Sequence, residues 1–253
     1  MTQSILITAG AGGIGLATAL SFARNGARVH ICDVNADALN AVTSTEAAIS
    51  GTLADVSSED DVERLFEDVA AALGGLDVLV NNAGVSGPTT PVEDFGLDDW
   101  QSVMRVNLDG TFMVTRRAIP LLKQSDAASI IIMSSVAGRY GYANRSPYST
   151  SKWGLVGFAK TLALELGEFG ITCNTIHPGA VEGERISRVF EGRSALSGRS
   201  IEEERALGME NQSIKRFTDP NDIAELIRFL TGPHGRTISG QIFPIDGDSK
   251  AAQ

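Results

Sequence analysis

The feature that most constrains this chain is a glycine-rich turn set between a strand and a helix near its start. Ile5-Leu6-Ile7-Thr8 is a short apolar strand that runs into Ala9-Gly10-Ala11-Gly12-Gly13-Ile14-Gly15. Gly10, Gly12 and Gly15 satisfy Gly-x-Gly-x-x-Gly. A helix of Ala, Leu and Phe follows to about Asn25-Gly26, and a second strand at 28–32 is closed by Asp33. In such a unit the glycines permit a tight turn and close approach of a pyrophosphate, while the helix N-terminus offers N–H groups and partial positive charge. The turn, Ala9, Gly10, Gly12, Gly13, Ile14 and Gly15, therefore points to a bound dinucleotide. A carboxylate ending the second strand accepts hydrogen bonds from ribose hydroxyls and repels a 2′-phosphate. No lysine or arginine lies in the turn or just after Asp33. The expected cofactor is NAD, with NADP disfavoured.

The rest of the chain keeps alternating. Further strands are expected near 49–54, 76–80, 129–133, 171–176 and 241–245. Between them lie a short helix at 35–43 and a helix capped by Ser57 with Asp60 that ends at Gly74-Gly75. Asp98 with Gln101 caps the next helix, which carries Asn107 toward Leu122; another starts around Tyr148 and runs to Leu166. Asp219 as cap, with Pro220 at the first helical position, opens a helix that stops before Gly232-Pro233. Continuous apolar strands separated by helices imply a parallel sheet covered on both faces. The fold class is α/β: a Rossmann-type doubly wound sheet of about seven strands. With 253 residues, no repeat and no linker, the expectation is a single domain over 1–253. Pro244 inside the last strand requires an edge or bulge position there.

Charge and composition exclude several classes. A formal net charge of −10 disfavours binding to a phosphate backbone, so no nucleic-acid partner is expected. Cys32 and Cys173 lie in apolar strand runs and read as small buried hydrophobes, and no metal site is expected. No signal-peptide pattern precedes the first strand and no apolar run is long enough to span a bilayer, which suggests a cytoplasmic protein without a membrane partner.

The chemistry is concentrated between Ser135 and Lys152. Tyr148 and Lys152, four residues apart at the start of a helix, project from one face a turn apart. A phenol ordinarily holds its proton until about pH 10, and an ammonium a few ångströms away favours the phenolate. The pair is a proton-transfer device for an alcohol or a ketone. Ser135 follows the apolar run 129–133, so its hydroxyl emerges at a strand's carboxyl end, where open α/β sheets place their sites.

Taken together these segments resemble the short-chain dehydrogenase/reductases, specifically the branch of about 250 residues. The resemblance covers roughly 4–182 and 214–247. It rests on Thr8, Gly13 and Gly15 in the glycine turn, Asn81-Asn82-Ala83-Gly84 after the fourth strand, and Arg105-Val106-Asn107-Leu108. Ser134 to Gly138, Tyr148 with Lys152, Pro178-Gly179, and the stretch from Ser239 to Gly247 complete it. The resemblance implies an NAD-dependent alcohol dehydrogenase or ketone reductase with Asn107, Ser135, Tyr148 and Lys152 as catalytic residues. It implies that Ser135 and Tyr148 meet the substrate oxygen, that Lys152 also holds the nicotinamide ribose, and that Asn107 anchors a water for proton relay. Asp55 and Val56 would lie by the adenine, Asn82, Ala83 and Gly84 along the adenosine side, and Pro178, Gly179 and Val181 by the nicotinamide. Two departures stand out. Ala9 replaces the first glycine of the turn, and Gly183 stands where a threonine often contacts the nicotinamide amide.

By the same resemblance, 183–215 forms a substrate lid. Arg185 and Arg188, nearest the nicotinamide turn, suggest an anionic substrate, with Arg185 as the substrate contact, while Arg139, Tyr140, Tyr142 and Arg145 could form the other wall. Helices near 99–123 and 149–167 carry Gly110, Gly154, Gly157 and Thr161 among apolar positions, and the resemblance implies pairing across them into a homotetramer. The competing readings are an NADP-dependent carbonyl reductase, weakened by Asp33, and a nucleotide-sensing protein without chemistry, disfavoured by the complete set of four catalytic-type residues.

Overall fold

Five buried residues, Ser4–Thr8, form β1 near the middle of a seven-stranded parallel sheet, in a computed structural model that describes residues 2–252 apart from the side chains of Glu184 and Arg185. The strands are β2 (Arg28–Asp33), β3 (Ile49–Leu53), β4 (Val78–Asn81), β5 (Ser129–Met133), β6 (Thr172–Pro178) and β7 (Ile242–Ile245). Their order is β3-β2-β1-β4-β5-β6-β7. The chain reverses its direction of travel across the sheet at β1 and β4, which leaves a crevice between their carboxyl ends. The helices are α1 (Gly13–Arg24), α2 (Ala36–Thr45), α3 (Glu59–Leu73), α4 (Leu97–Met104), α5 (Gly110–Leu122), α6 (Ser146–Leu166), α7 (Glu184–Ser197), α8 (Ile201–Glu210) and α9 (Pro220–Thr231).

Strand alternation sends neighbouring side chains to opposite faces, and both faces are dry. Leu6, Ile130 and Ile132 feed a core with Leu65, Val69, Val114, Ala118, Leu155 and Leu162 from α3, α5 and α6. Ile5, Ile7 and Ile131 feed the other, with Ala19, Phe22, Leu39, Ile223 and Ile227 from α1, α2 and α9. The continuous apolar strands in the sequence are thus explained by burial on both sides. β7 is an edge strand, so Pro244 costs no ladder bond on its outer side, as its place in the sequence requires.

Asp219 accepts from the Asn221 N–H and caps α9 as expected. Two other caps are corrected. Ser58 accepts from the Asp61 N–H and caps α3, whereas Ser57 donates to the Asp55 carboxylate instead. α4 starts after Gly96, and Asp98 sits in its first turn without a side-chain cap bond. The helix carrying Asn107 is not continuous either: residues Arg105–Asp109 form a π-turn between α4 and α5. Such turns widen the helix locally and recur near functional sites.

Two histidines are buried in the sheet. His30 lies with its ring nitrogens 2.8 Å from Ser50 Oγ and 2.9 Å from Thr52 Oγ1, and burial holds its pKa down at about 4. His177 is fully buried, with Nε2 3.0 Å from Thr175 Oγ1, and burial again holds it at about 4. Each stays neutral in the fold but protonates near pH 6.5 once unfolded, so their contribution is intact above that pH and is lost as pH falls toward 4. Urea unfolding at pH 7 and pH 5 should show a loss of about 2 kcal/mol per histidine. His177→Asn should remove one such share from the slope; an unaltered slope would show that His177 titrates normally in the fold.

Candidate active site

Because every strand is parallel, six carboxyl ends bring the sequence-predicted residues to one edge of the sheet. After β1, Ala9 adopts φ +50 and Gly13 φ +51. A left-handed alanine costs roughly 1 kcal/mol, and the strain is held by Asn82, whose Nδ2 donates to the carbonyls of Thr8 and Ala9 at 3.0 Å each. Thr8 Oγ1 in turn accepts the N–H groups of Asn82 and Ala83. These bonds lock the β1 and β4 ends together at the crevice.

The glycines of the turn divide by role. A Cβ on Gly10 would lie 2.5 Å from Ile31 Cγ2, and one on Gly15 would collide with the Ala9 carbonyl oxygen, so both are required by packing. Gly12 and Gly13 are exposed, and a Cβ on either would meet nothing within 4 Å. They form the open face of the cradle, at the N-terminus of α1. Asp33 stands beside it, accepting the Ala11 N–H through Oδ2 at 3.1 Å and the Asn35 N–H through Oδ1 at 3.0 Å. Donors on fixed backbone orient the carboxylate while it remains partly open to solvent. This arrangement fits a dinucleotide. Asp55 is oriented by Ser57, whose N–H and hydroxyl it accepts, and Val56 is buried against Gly110.

The proton-transfer residues lie at the next strand ends. Ser135 Oγ accepts the Ala137 N–H at 3.2 Å, which leaves its own O–H to donate toward the crevice. Tyr148 (8 % exposed) and Lys152 (2 % exposed) occupy the first two turns of α6, with Lys152 Nζ 5.7 Å from the Tyr148 ring centroid. Nζ donates to the Met133 carbonyl at 2.8 Å. Asn107 is wholly buried: its Oδ1 accepts the Val85 N–H, while Nδ2 donates to the Val85 carbonyl and to Ser151 Oγ. Both amide hydrogens are therefore in use. Ser135 follows β5, Tyr148 and Lys152 lie on α6, and Asn107 Oδ1 and Lys152 Nζ both border Gly84.

Gly84 and Gly138, named in the sequence only as members of longer motifs, set their separation. A Cβ on Gly138 would lie 2.8 Å from the Lys152 carbonyl oxygen, and one on Gly84 would lie 3.2 Å from Asn107 Oδ1 and 3.3 Å from Lys152 Nζ. Also missed was the chain's end. Ala252 packs with Ala137 and Tyr148, and its segment is pinned beyond α8 by Lys250 N–H to the Asn211 carbonyl and by Asn211 Nδ2 to the Ala251 carbonyl.

On the nicotinamide side, a Cβ on Gly179 would touch Asp246 Cα at 2.8 Å, and Val181 pairs with Thr218. Gly183 begins α7 with φ +137, a conformation closed to threonine, so backbone geometry accounts for the departure at that position. The arginines of the expected lid and wall have separate surroundings. Arg188 is exposed, and the Arg185 side chain lies outside the described residues. Arg139 is committed to Asp246 at 2.8 Å, while Tyr142 and Arg145 line a cavity beside Tyr148. Among the described residues, no group of three or more His, Cys, Asp or Glu side chains is arranged to hold a metal ion, and no helix is long and apolar enough to cross a membrane.

A parallel sheet reversing at a glycine turn, with an oriented acid on the next strand, defines a dinucleotide-binding protein of the doubly wound class. A family model described as short chain dehydrogenase matches residues 3–193, and the chain belongs to that family. It is 30 % identical over 254 residues to levodione reductase of Leifsonia aquatica, covering 98 % of this chain and 94 % of that protein. Among solved structures, an actinorhodin polyketide ketoreductase variant with NADPH superposes with TM-score 0.93 at 31 % identity, over 97 % of this chain and 96 % of that one. An NAD+-bound xylitol dehydrogenase superposes with TM-score 0.93 at 28 % identity, over 97 % and 98 %. The protein is therefore an oxidoreductase of a family that binds a nicotinamide cofactor.

The two kinds of glycine predict opposite phenotypes. Gly15→Ala should lower stability by roughly 1–3 kcal/mol through overpacking. Gly12→Ala should leave stability nearly unchanged yet weaken dinucleotide binding at least about tenfold, because its Cβ occupies the open cradle. Thermal melts with calorimetric titration of NAD separate the two; equal binding by Gly12→Ala and wild type would place the cofactor elsewhere.

Proposed function

We propose that the protein is an NAD-dependent oxidoreductase acting on a secondary alcohol or its ketone, with Tyr148 as general acid/base. The observation that carries this reading is the convergence of Tyr148, Lys152, Ser135 and Asn107 at one sheet edge beside the open glycine cradle. The nicotinamide supplies the hydride exchange with the carbinol carbon. In the oxidative direction Tyr148 would take the proton from the alcohol oxygen while a bound oxidised nicotinamide would accept the hydride, so that the balance is ketone, reduced cofactor and one proton.

Ser135 donates its O–H to the substrate oxygen and stabilises charge there as the C–O bond order changes. The Lys152 ammonium, held by the Met133 carbonyl, stabilises negative charge on the Tyr148 oxygen when the proton is away. Asn107 is held by Val85 and Ser151 through its side chain and by the Thr111 hydroxyl through its main-chain carbonyl, so a relay water would use the acceptor capacity that remains there. Asp33 supports NAD over NADP: its carboxylate suits the ribose hydroxyls and repels a further phosphate. Helices α7 and α8, spanning the expected lid, cover the substrate side. The protein works as a homotetramer in this reading, paired through α5 and α6, where a Cβ on Gly157 would meet nothing of its own chain within 4 Å.

Turnover of secondary alcohols with NAD should fall by 10²–10⁴-fold in Tyr148→Phe, the range set by loss of a general acid/base. NAD should bind at least about tenfold more tightly than NADP, and Asp33→Ala should narrow the gap. Equal affinities in the wild type would overturn the cofactor assignment. Light scattering showing monomer alone would overturn the tetramer.

A further inference from the structure

The strands β5, β6 and β7 are neighbours in the sheet, and one ion pair joins the segments that leave the outer two. Ser135 follows β5 and caps a single 3₁₀ turn, Val136–Gly138, by accepting the Ala137 N–H at 3.2 Å. Arg139 leaves that turn with its own N–H on the Val136 carbonyl at 2.9 Å. Its Nη1 lies 2.8 Å from Oδ2 of Asp246, the residue just past β7. The pair therefore spans the carboxyl end of β6, where Pro178-Gly179 turns away from the sheet.

Asp246 is the anchor of the pair. Its side chain is 5 % exposed, and Oδ1 accepts the Asp248 N–H at 3.0 Å while its carbonyl accepts the Ser249 hydroxyl at 3.0 Å. Its own chain thus orients the carboxylate for Arg139. Gly179 packs directly on it: the Gly179 N–H donates to the Ile245 carbonyl at 3.1 Å, and a Cβ there would lie 2.8 Å from Asp246 Cα and 2.9 Å from Asp246 Cβ. Arg139 is steered in turn by Tyr140, with its guanidinium carbon 5.1 Å from the ring centroid and Nη2 donating to the hydroxyl at 3.3 Å. His177, fully buried just before Pro178, is near enough to Arg139 and Lys152 for both charges to add to burial in holding its ring neutral. The Arg139 charge thus faces the interior that also holds Lys152, and Asp246 offsets it there.

We propose that Arg139 and Asp246 are positioning residues, whose ion pair ties the Ser135 turn to the Pro178-Gly179 turn and so fixes the Ser135 hydroxyl relative to the nicotinamide ring. This rests on the reaction proposed above, with the nicotinamide beside Pro178-Gly179. A charge-assisted hydrogen bond to a buried carboxylate restrains its partners more than an exposed pair does. Hydride transfer depends steeply on the placement of the reacting carbon against the ring, and a misplacement of about 1 Å caused at a distance can cost about 10²-fold in rate. Ser135 orients the alcohol oxygen and the turn orients the ring. The pair therefore acts on the step between the two molecules rather than on the binding of either.

The test measures kcat, KM and NAD affinity with isopropanol, cyclohexanol and lactate in wild type, Arg139→Met, Arg139→Lys and Asp246→Asn, with a thermal melt of each to confirm folding. Arg139→Met should lower kcat at least about tenfold while NAD affinity changes by less than about threefold. Arg139→Lys should recover part of the loss. Asp246→Asn, of the same shape without the charge, should repeat it and serves alone if Arg139→Met does not fold. On a Ser135→Ala background, Arg139→Met should cost less than about threefold more, because a clamp acting through Ser135 then has nothing to position. A wild-type kcat in folded Arg139→Met, or the same loss with and without Ser135, would overturn the clamp and leave the dehydrogenase reading intact. If the wild type turned over none of these alcohols with NAD, that reading would fail and the clamp with it.

Discussion

The close seating of α6 on the carboxyl edge of the sheet, backbone against backbone, is the contact on which the candidate site depends. Ser134 Oγ donates to the Lys152 carbonyl at 2.9 Å, and Gly138 leaves no Cβ to hold the two segments apart. The same approach buries Lys152 and brings Nζ to the Met133 carbonyl. Burying an ammonium is costly unless its donors are satisfied, so the helix cannot lift away without losing that compensation. Tyr148, one turn earlier on the same helix, is fixed by the same contact. A fold-stabilising interface and a proton-transfer geometry are thus one structure, and α6 and the Ser135 loop must move together or not at all.

Asn107 extends this constraint to the far side of the crevice. Its side chain ties the Val85 backbone to Ser151, and Ser151 Oγ passes a hydrogen bond on to the Tyr148 carbonyl at 2.8 Å. The π-turn that carries Asn107 is an irregularity in an otherwise straightforward helix. It turns a fully buried amide toward two separate elements, while the main-chain carbonyl accepts the Thr111 hydroxyl at 2.8 Å. Thr8 and Asn82 perform the equivalent task at the glycine turn, where they hold a left-handed alanine in place. Side-chain hydrogen bonds thus tie the strand ends together on both sides of the crevice.

What the sequence made legible were residues governed by local rules. The glycine turn, Asp33, Ser135 and the Tyr148–Lys152 pair each sit at a strand end or one helical turn apart, so periodicity alone places them. The α3 cap shows where such rules stop: Ser57 with Asp60 and Ser58 with Asp61 have identical spacing, and the choice is made by Asp55, which takes Ser57 for itself. The arginines show the same limit over a longer range. Nothing local distinguishes Arg188 from Arg193 on α7, yet one is exposed and the other stacks on Tyr142 from another segment. The contact of Ala252 with Tyr148 has no local signal, because it arises from the tail pairing with residues that follow α8.

The charge distribution gives these separate observations one direction. At the β2 and β3 ends the crevice carries Asp33 and Asp55, both oriented by neighbouring donors. At the opposite end it meets Lys152 and, beyond Tyr142, Arg145 and Arg193. In the reading proposed above, the acidic end faces the ribose hydroxyls of the dinucleotide and the Lys152 end faces the reacting oxygen. Low-dielectric walls on both sides strengthen that polarity.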